Sequence, residues 1–413
     1  FEEKVHEIRR VHPDPSQINQ AVEKIKNSKQ PIIISGGGVL YSEAEQELSK
    51  FAKKHNIPVT STVMGIGCMT KDDPYYISAV GALGEGSSNS LSKDTDLALA
   101  IGTKLADFTT GSWANFENPN FKLVSVNTAR YDTTKHLATP VISDAKVGLQ
   151  KISEALGDWK APDDWYKRAI KEKNEWDAYV EKQSGPTNQE EPSYAHAVGA
   201  VYRNSDPSDI VVTAAGGLVG EVVQVWKPKQ LNTFETEWGF SCMGYEISGA
   251  LGIKMAKPDQ DVVVFVGDGS YLLNNTDIYS SVIYDQKLII IVCDNGGHMV
   301  INRLQLAKGG KEYICNLRAA RATNLKFVDF ENHAKSMGAN AETVSSTSEL
   351  EAAYKRAKDS DKTYVITIKT HGYEWLEGTA FWESPTLQDP ITDNNKNALE
   401  DFESGKSKQR KGV

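Results

Sequence analysis

Residues Asp261 to Ser270 read D-V-V-V-F-V-G-D-G-S, and Leu288 to Gly297 read L-I-I-I-V-C-D-N-G-G. Each is a strand-length apolar run that ends in glycine and a polar ligand-type residue. A run that is apolar throughout, rather than alternating, marks a strand buried on both faces, as in a parallel sheet covered by helices. Between the two runs, Asn274-Asn275-Thr276-Asp277 offers capping side chains for a helix predicted to reach about Tyr284. In a right-handed strand–helix–strand crossover the strands lie parallel, with both C-terminal ends on one side. Asp268 and Asn295 are therefore expected to meet, although 25 residues, 270 to 294, separate Gly269 from Asn295.

The same grammar extends outward. A helix over Ser193–Arg203 and strands at Ile210–Thr213, Val262–Val266, Leu288–Cys293 and Tyr364–Ile368 make one α/β unit. Upstream, a helix over Ser16–Ser28 precedes the strand Pro31–Ser35, the turn Gly36-Gly37-Gly38 and an amphipathic helix around Ser42–His55. Strands at Ile57–Ser61, Leu97–Ile101 and Lys122–Val126 follow. The expected fold class is α/β, with two doubly wound parallel-sheet, Rossmann-like domains. The expected boundaries are residues 1–157 for the first domain and 158–189 for a helical linker in which Trp165, Ala169, Trp176 and Tyr179 keep helical period. Residues 190–370 form the second domain, and 371–413, with Pro385 and Pro390, a tail expected to wander over the surface.

Composition bounds the function. With 39% hydrophobic and 24% charged residues, the 413-residue chain reads as globular. A net charge of −9 and a pI near 5.5 leave no basic field for nucleic acid or anionic lipid, and Lys406–Lys411 reads as a solvated basic tail. The longest apolar runs are too short to span a bilayer, and no signal peptide is visible. Cys68, Cys242, Cys293 and Cys315 lack CxxC spacing, so reduced thiols of a cytoplasmic protein are expected. The chain opens on Phe1 rather than Met, as the remainder of a longer protein would.

The chemistry lies at the paired strand tips. A carboxylate, an amide oxygen and a backbone carbonyl are hard oxygen ligands that suit Mg²⁺ or Ca²⁺. A glycine-rich turn running into a helix adds N–H donors for a diphosphate. Alone, Gly267-Asp268-Gly269 would be an ordinary turn. The second turn, one crossover away and ending in Asn295-Gly296-Gly297, turns the pair into a candidate site.

Together these two turns resemble the cofactor motif of thiamine-diphosphate enzymes. The resemblance implies that Asp268 and Asn295 ligate Mg²⁺ through side chains and Gly297 through its carbonyl. It also implies that Gly267, Gly269 and Ser270 line the thiamine diphosphate. Thr213-Ala214-Ala215-Gly216-Gly217 resembles the family's first phosphate-contacting turn, which assigns Gly216 and Gly217 to the cofactor. Trp238–Glu246 resembles the segment that bends the cofactor, with Met243 as the wedge between its rings; the alternative is a core methionine filling a gap. The strings Val80–Gly84, Ala106–Ala114, Val126–Tyr131, Ser241–Tyr245 and Glu377–Trp382 resemble one subfamily, the trihydroxycyclohexane-1,2-dione hydrolases of myo-inositol breakdown. That implies a small cyclic 1,2-diketone substrate opened at the C–C bond between its carbonyls to 5-deoxyglucuronate. It also implies a homo-dimer or tetramer.

Rival readings are a carboligase or decarboxylase of 2-oxo acids, which the motif residues do not separate, and a nucleotide-binding scaffold around Gly36. The latter turn lacks the full GxGxxG. His298 and Arg303 read as structural or surface residues. The family's activating glutamate belongs to an N-terminal pyrimidine-binding domain, and no such domain precedes Phe1. No catalytic residue is therefore expected in this chain, which alone is expected to be inactive.

Overall fold

A computed structural model describes Glu2 and residues 4–410. The chain forms two compact units. The first comprises residues up to Trp176 together with 378–383 and the chain from 405; the second comprises 177–377 and 384–404. Each is built on a six-stranded sheet whose neighbouring strands all pair in parallel.

The first sheet contains β1 (Pro31–Ser35), β2 (Val59–Ser61), β3 (Tyr76–Ala79), β4 (Leu97–Ile101), β5 (Lys122–Asn127) and β6 (Thr139–Ile142). Their spatial order is β3-β2-β1-β4-β5-β6. The second holds β7 (Ile210–Thr213), β8 (Phe234–Thr236), β9 (Val262–Gly267), β10 (Ile289–Asp294), β11 (Asn340–Val344) and β12 (Tyr364–Lys369), in the order β11-β12-β10-β9-β7-β8. Both sheets are doubly wound: the winding reverses between β1 and β4, and again between β7 and β9. At such reversals, crevices open at the C-terminal ends of the strands.

Burial explains why these segments are strands. Val262, Val263, Val264 and Phe265 of β9 and Ile289 to Cys293 of β10 are fully buried, because helices cover both faces of the sheet. Each buried Val or Ile side chain contributes about 1.5–3 kcal/mol relative to exposure. Capping sets the helix that enters the site. Ser193 Oγ accepts from His196 N at 3.3 Å, which starts the helix Tyr194–Arg203 and fixes where Tyr194 stands.

Three features depart from expectation. The stretch expected as a helical linker is indeed a long helix, Asp163–Gln183, but its first turns are not free: Trp165 and Ala169 are buried against Ile32, Ile34 and Leu91. The C-terminal stretch is not a wandering tail throughout, because Asp393–Ser407 is a helix that buries Ala398 and Phe402, spaced one turn apart. Past β9, helix begins at once as Asp268–Leu273, breaks, and resumes as Asp277–Ile283. The break is held by Asn274, which stays extended while its Nδ2 donates to Ser248 Oγ at 2.7 Å.

Candidate cofactor and metal site

Register brings the predicted residues together. β9 and β10 are neighbours with Cys293 opposite Gly267, so Asp268 and Asn295 lie just past paired strand tips. Gly297 N donates to Asp268 Oδ2 at 2.7 Å, which closes one turn on the other. Asp268 is 5% exposed and Asn295 4%. The Asn295 amide is held by one side only: Nδ2 donates to the Tyr194 hydroxyl at 2.7 Å, and Oδ1 has no hydrogen-bond partner among the described residues.

Gly297 sits at φ +140°, and a Cβ there would stand 2.4 Å from the Cys315 carbonyl oxygen. The close approach arises because residues 313–317 run across the turn as a strap. Gly297 pairs antiparallel with Asn316, His298 N donates to Cys315 O at 2.8 Å, and Leu317 N donates to Gly296 O at 3.0 Å.

The other predicted turn follows β7, on the far side of the winding reversal. Gly216 has φ +80°, and Gly217 precedes the helix Leu218–Val225. A Cβ on Gly217 would stand 2.1 Å from the Trp375 indole, so the ring occupies the space of a side chain. Glu246, only 1% exposed, ties three turns together. Its carboxylate accepts from Ser270 Oγ at 2.8 Å, Gly244 N at 2.9 Å and Ala215 N at 3.3 Å. Burial pushes its acidity down, raising its pKa despite these donors. The Ser270 hydroxyl, expected at the diphosphate, is thus spent on Glu246 and braces the turns.

Met243 is not a core methionine. It is 37% exposed, and its Cε lies 3.6 Å from the point where a Cβ on Gly269 would stand. The His298 ring lies 2.7 Å from the same point. Arg303, read as a structural or surface residue, stacks over Trp375 at 5.1 Å.

Two comparisons bear on this geometry. Residues 18–152 match the family described as thiamine pyrophosphate enzyme, central domain, and residues 214–368 match thiamine pyrophosphate enzyme, C-terminal TPP binding domain. The 3D-(3,5/4)-trihydroxycyclohexane-1,2-dione hydrolase of Lacticaseibacillus casei is 32% identical over 98% of this chain and 67% of its own length. The chain belongs to the thiamine pyrophosphate enzyme family. Proteins of the same name from Geobacillus thermodenitrificans and Clostridium tetani are 33% and 34% identical, each over 92% of the chain. The chain spans about 65% of the length of these two.

Thiamine pyrophosphate enzymes use this cofactor together with Mg²⁺, and the donor set fits the pair. Burial, reinforced by the neighbouring Asp294, pushes the Asp268 carboxyl up to about 7. A divalent cation reverses that logic, since it offsets the negative charge that burial disfavours. The unpartnered Asn295 Oδ1 offers a neutral oxygen beside it.

In the first unit, by contrast, the corresponding crevice is filled. Gly36 N donates to Ile101 O at 2.8 Å and Gly38 N to Gly102 O at 3.0 Å. A Cβ on Gly38 would stand 2.6 Å from Gly102 Cα. Two of the N–H groups that would receive a phosphate, those of Gly36 and Gly38, are already bonded, which argues against the dinucleotide reading of Gly36. No helix among the described residues is long and apolar enough to cross a membrane.

Sequence reasoning missed Tyr194, Glu246 and Trp375 as parts of the site. Glu246 lay within the quoted Trp238–Glu246 string, where an acid opening a helix beside Gly244 was a usable signal. Tyr194 and Trp375 carry none, because they reach the site only through tertiary packing.

Proposed function

We propose that these residues form the cofactor-binding part of a thiamine-diphosphate-dependent hydrolase that opens the ring of 3D-(3,5/4)-trihydroxycyclohexane-1,2-dione. The observation that carries this is the convergence of a buried Asp268 carboxylate and an unpartnered Asn295 Oδ1 on adjacent strand tips. The names of the most similar relatives support the substrate.

Asp268 and Asn295 hold Mg²⁺ through side-chain oxygens and Gly297 through its carbonyl. Gly216, Gly217, Gly267 and Gly269 let the backbone approach the diphosphate, where N–H groups at helix starts favour anions. Ser270 acts through Glu246, which keeps the turns after β7 and β9 in fixed relation. Met243 supplies an apolar support over Gly269. When bound, thiamine diphosphate would supply a nucleophilic carbon and an electron sink for cleavage of the C–C bond. By the family resemblance, the carboxylate that activates the aminopyrimidine belongs to a pyrimidine-binding domain.

Exposed apolar side chains of the second unit, among them Phe240, Leu273, Tyr284 and Ile314, support assembly as a dimer or tetramer. A substrate panel tests the assignment, run on this chain fused behind the pyrimidine-binding domain of a relative. The cyclic diketone should be consumed only with thiamine diphosphate and Mg²⁺ present, and pyruvate should not. Pyruvate turnover without diketone turnover would contradict the substrate.

A further inference from the structure

Asn295 is asymmetric in a way that matters for a cation. A side-chain amide has an acceptor end and a donor end of nearly the same shape. Turned one way, Asn295 presents an oxygen to a cation beside Asp268; turned the other way, it presents N–H groups and repels it. Nothing in its own sequence neighbourhood decides which. In the fold one end is engaged by the Tyr194 hydroxyl, which accepts from Nδ2 at 2.7 Å and leaves Oδ1 without a partner, free to face a cation. Tyr194 is 5% exposed, so no solvent competes for this bond. Its ring is held in turn: it meets Trp375 edge-on at 5.6 Å, and Trp375 lies against Gly217 in the turn after β7. The backbone of Tyr194 is fixed at the first helical residue after the Ser193 cap. The hydroxyl therefore occupies a set position behind the amide.

Resting on the cofactor reading above, we propose that Tyr194 is a positioning residue that holds Asn295 with its oxygen turned toward the metal. It touches neither substrate nor cofactor. Its contribution is to make the metal site ready before the ion arrives, and the Trp375 contact links this readiness to the diphosphate turn.

The test uses a double-mutant cycle, because a carboxylate has two equivalent oxygens and needs no such orientation. Mg²⁺-supported binding of thiamine diphosphate is measured by calorimetry for the wild type, Tyr194→Phe, Asn295→Asp and the double variant, with thermal unfolding followed alongside. Phenylalanine keeps the ring packing and removes only the oxygen. Removing such a supporting hydrogen bond is expected to cost about 10- to 100-fold in metal-dependent affinity, with the apo unfolding temperature nearly unchanged. In the Asn295→Asp background the same Tyr194→Phe change should cost less than about threefold. Equal losses in both backgrounds, or none in either, would overturn the inference. Failure of the wild type itself to bind Mg²⁺ and thiamine diphosphate would instead strike the cofactor reading, which keeps the two failures apart.

Discussion

Asp268 carries opposing demands. Burial and Asp294 push its carboxyl up to about 7 from an ordinary value of 3.8, so without metal the folded chain prefers it protonated. The sign follows: its contribution to stability is fully present below about pH 4 and is lost as pH rises through about 7. Cation binding needs the carboxylate, so the proton competes with Mg²⁺. Mg²⁺-supported cofactor affinity should rise by up to about tenfold per pH unit below pH 7 and level off above it, as calorimetry across pH 5.5–8.5 would show. Asp268→Asn keeps an acceptor for Gly297 N–H and removes the charge. That variant, measured in EDTA at pH 8, should be more heat-stable than wild type by ~1–4 kcal/mol while losing its pH-dependent metal affinity.

At the scale of elements, the turn after β10 depends on two successive glycines for different reasons. A Cβ on Gly297 would collide with the Cys315 backbone, whereas one on Gly296 would meet nothing closer than Phe327 at 3.7 Å. Gly297→Ala should therefore displace the strap, costing more than about 2 kcal/mol and raising amide exchange over residues 313–317. Gly296→Asn tolerates the left-handed backbone and should cost about 1 kcal/mol or less. What the sequence made legible divides along a physical line. The inner strands β1, β2, β4, β5, β7, β9, β10 and β12 announce themselves because both faces are covered and most of their residues are apolar. The four strands not anticipated, β3, β6, β8 and β11, are the four sheet edges. Edges are shorter and more polar, as in Phe234–Thr236 and Asn340–Val344, and β6 even carries Pro140. The metal-ligand candidates could be read because strand tips are local; Tyr194 and Trp375 could not, because Tyr194 stands 101 positions before its partner Asn295.

Over the whole molecule, two sheets of the same winding arrive at different C-terminal edges. In the first, glycine packs on glycine across the reversal and the Gly36 and Gly38 N–H groups are consumed. In the second, buried Glu246 ties Ala215, Gly244 and Ser270 to one carboxylate, while Asn295 keeps an oxygen without a partner. One edge is closed, and the other leaves a buried oxygen unsatisfied. The most direct test is a calorimetric titration of thiamine diphosphate in Mg²⁺ into the wild type, Asp268→Ala and Asn295→Ala, repeated in EDTA. The wild type should bind only with Mg²⁺, and each variant should lose at least about 100-fold in affinity, roughly 2.7 kcal/mol. Unchanged affinity in either variant, or wild-type binding that ignores the metal, would contradict it.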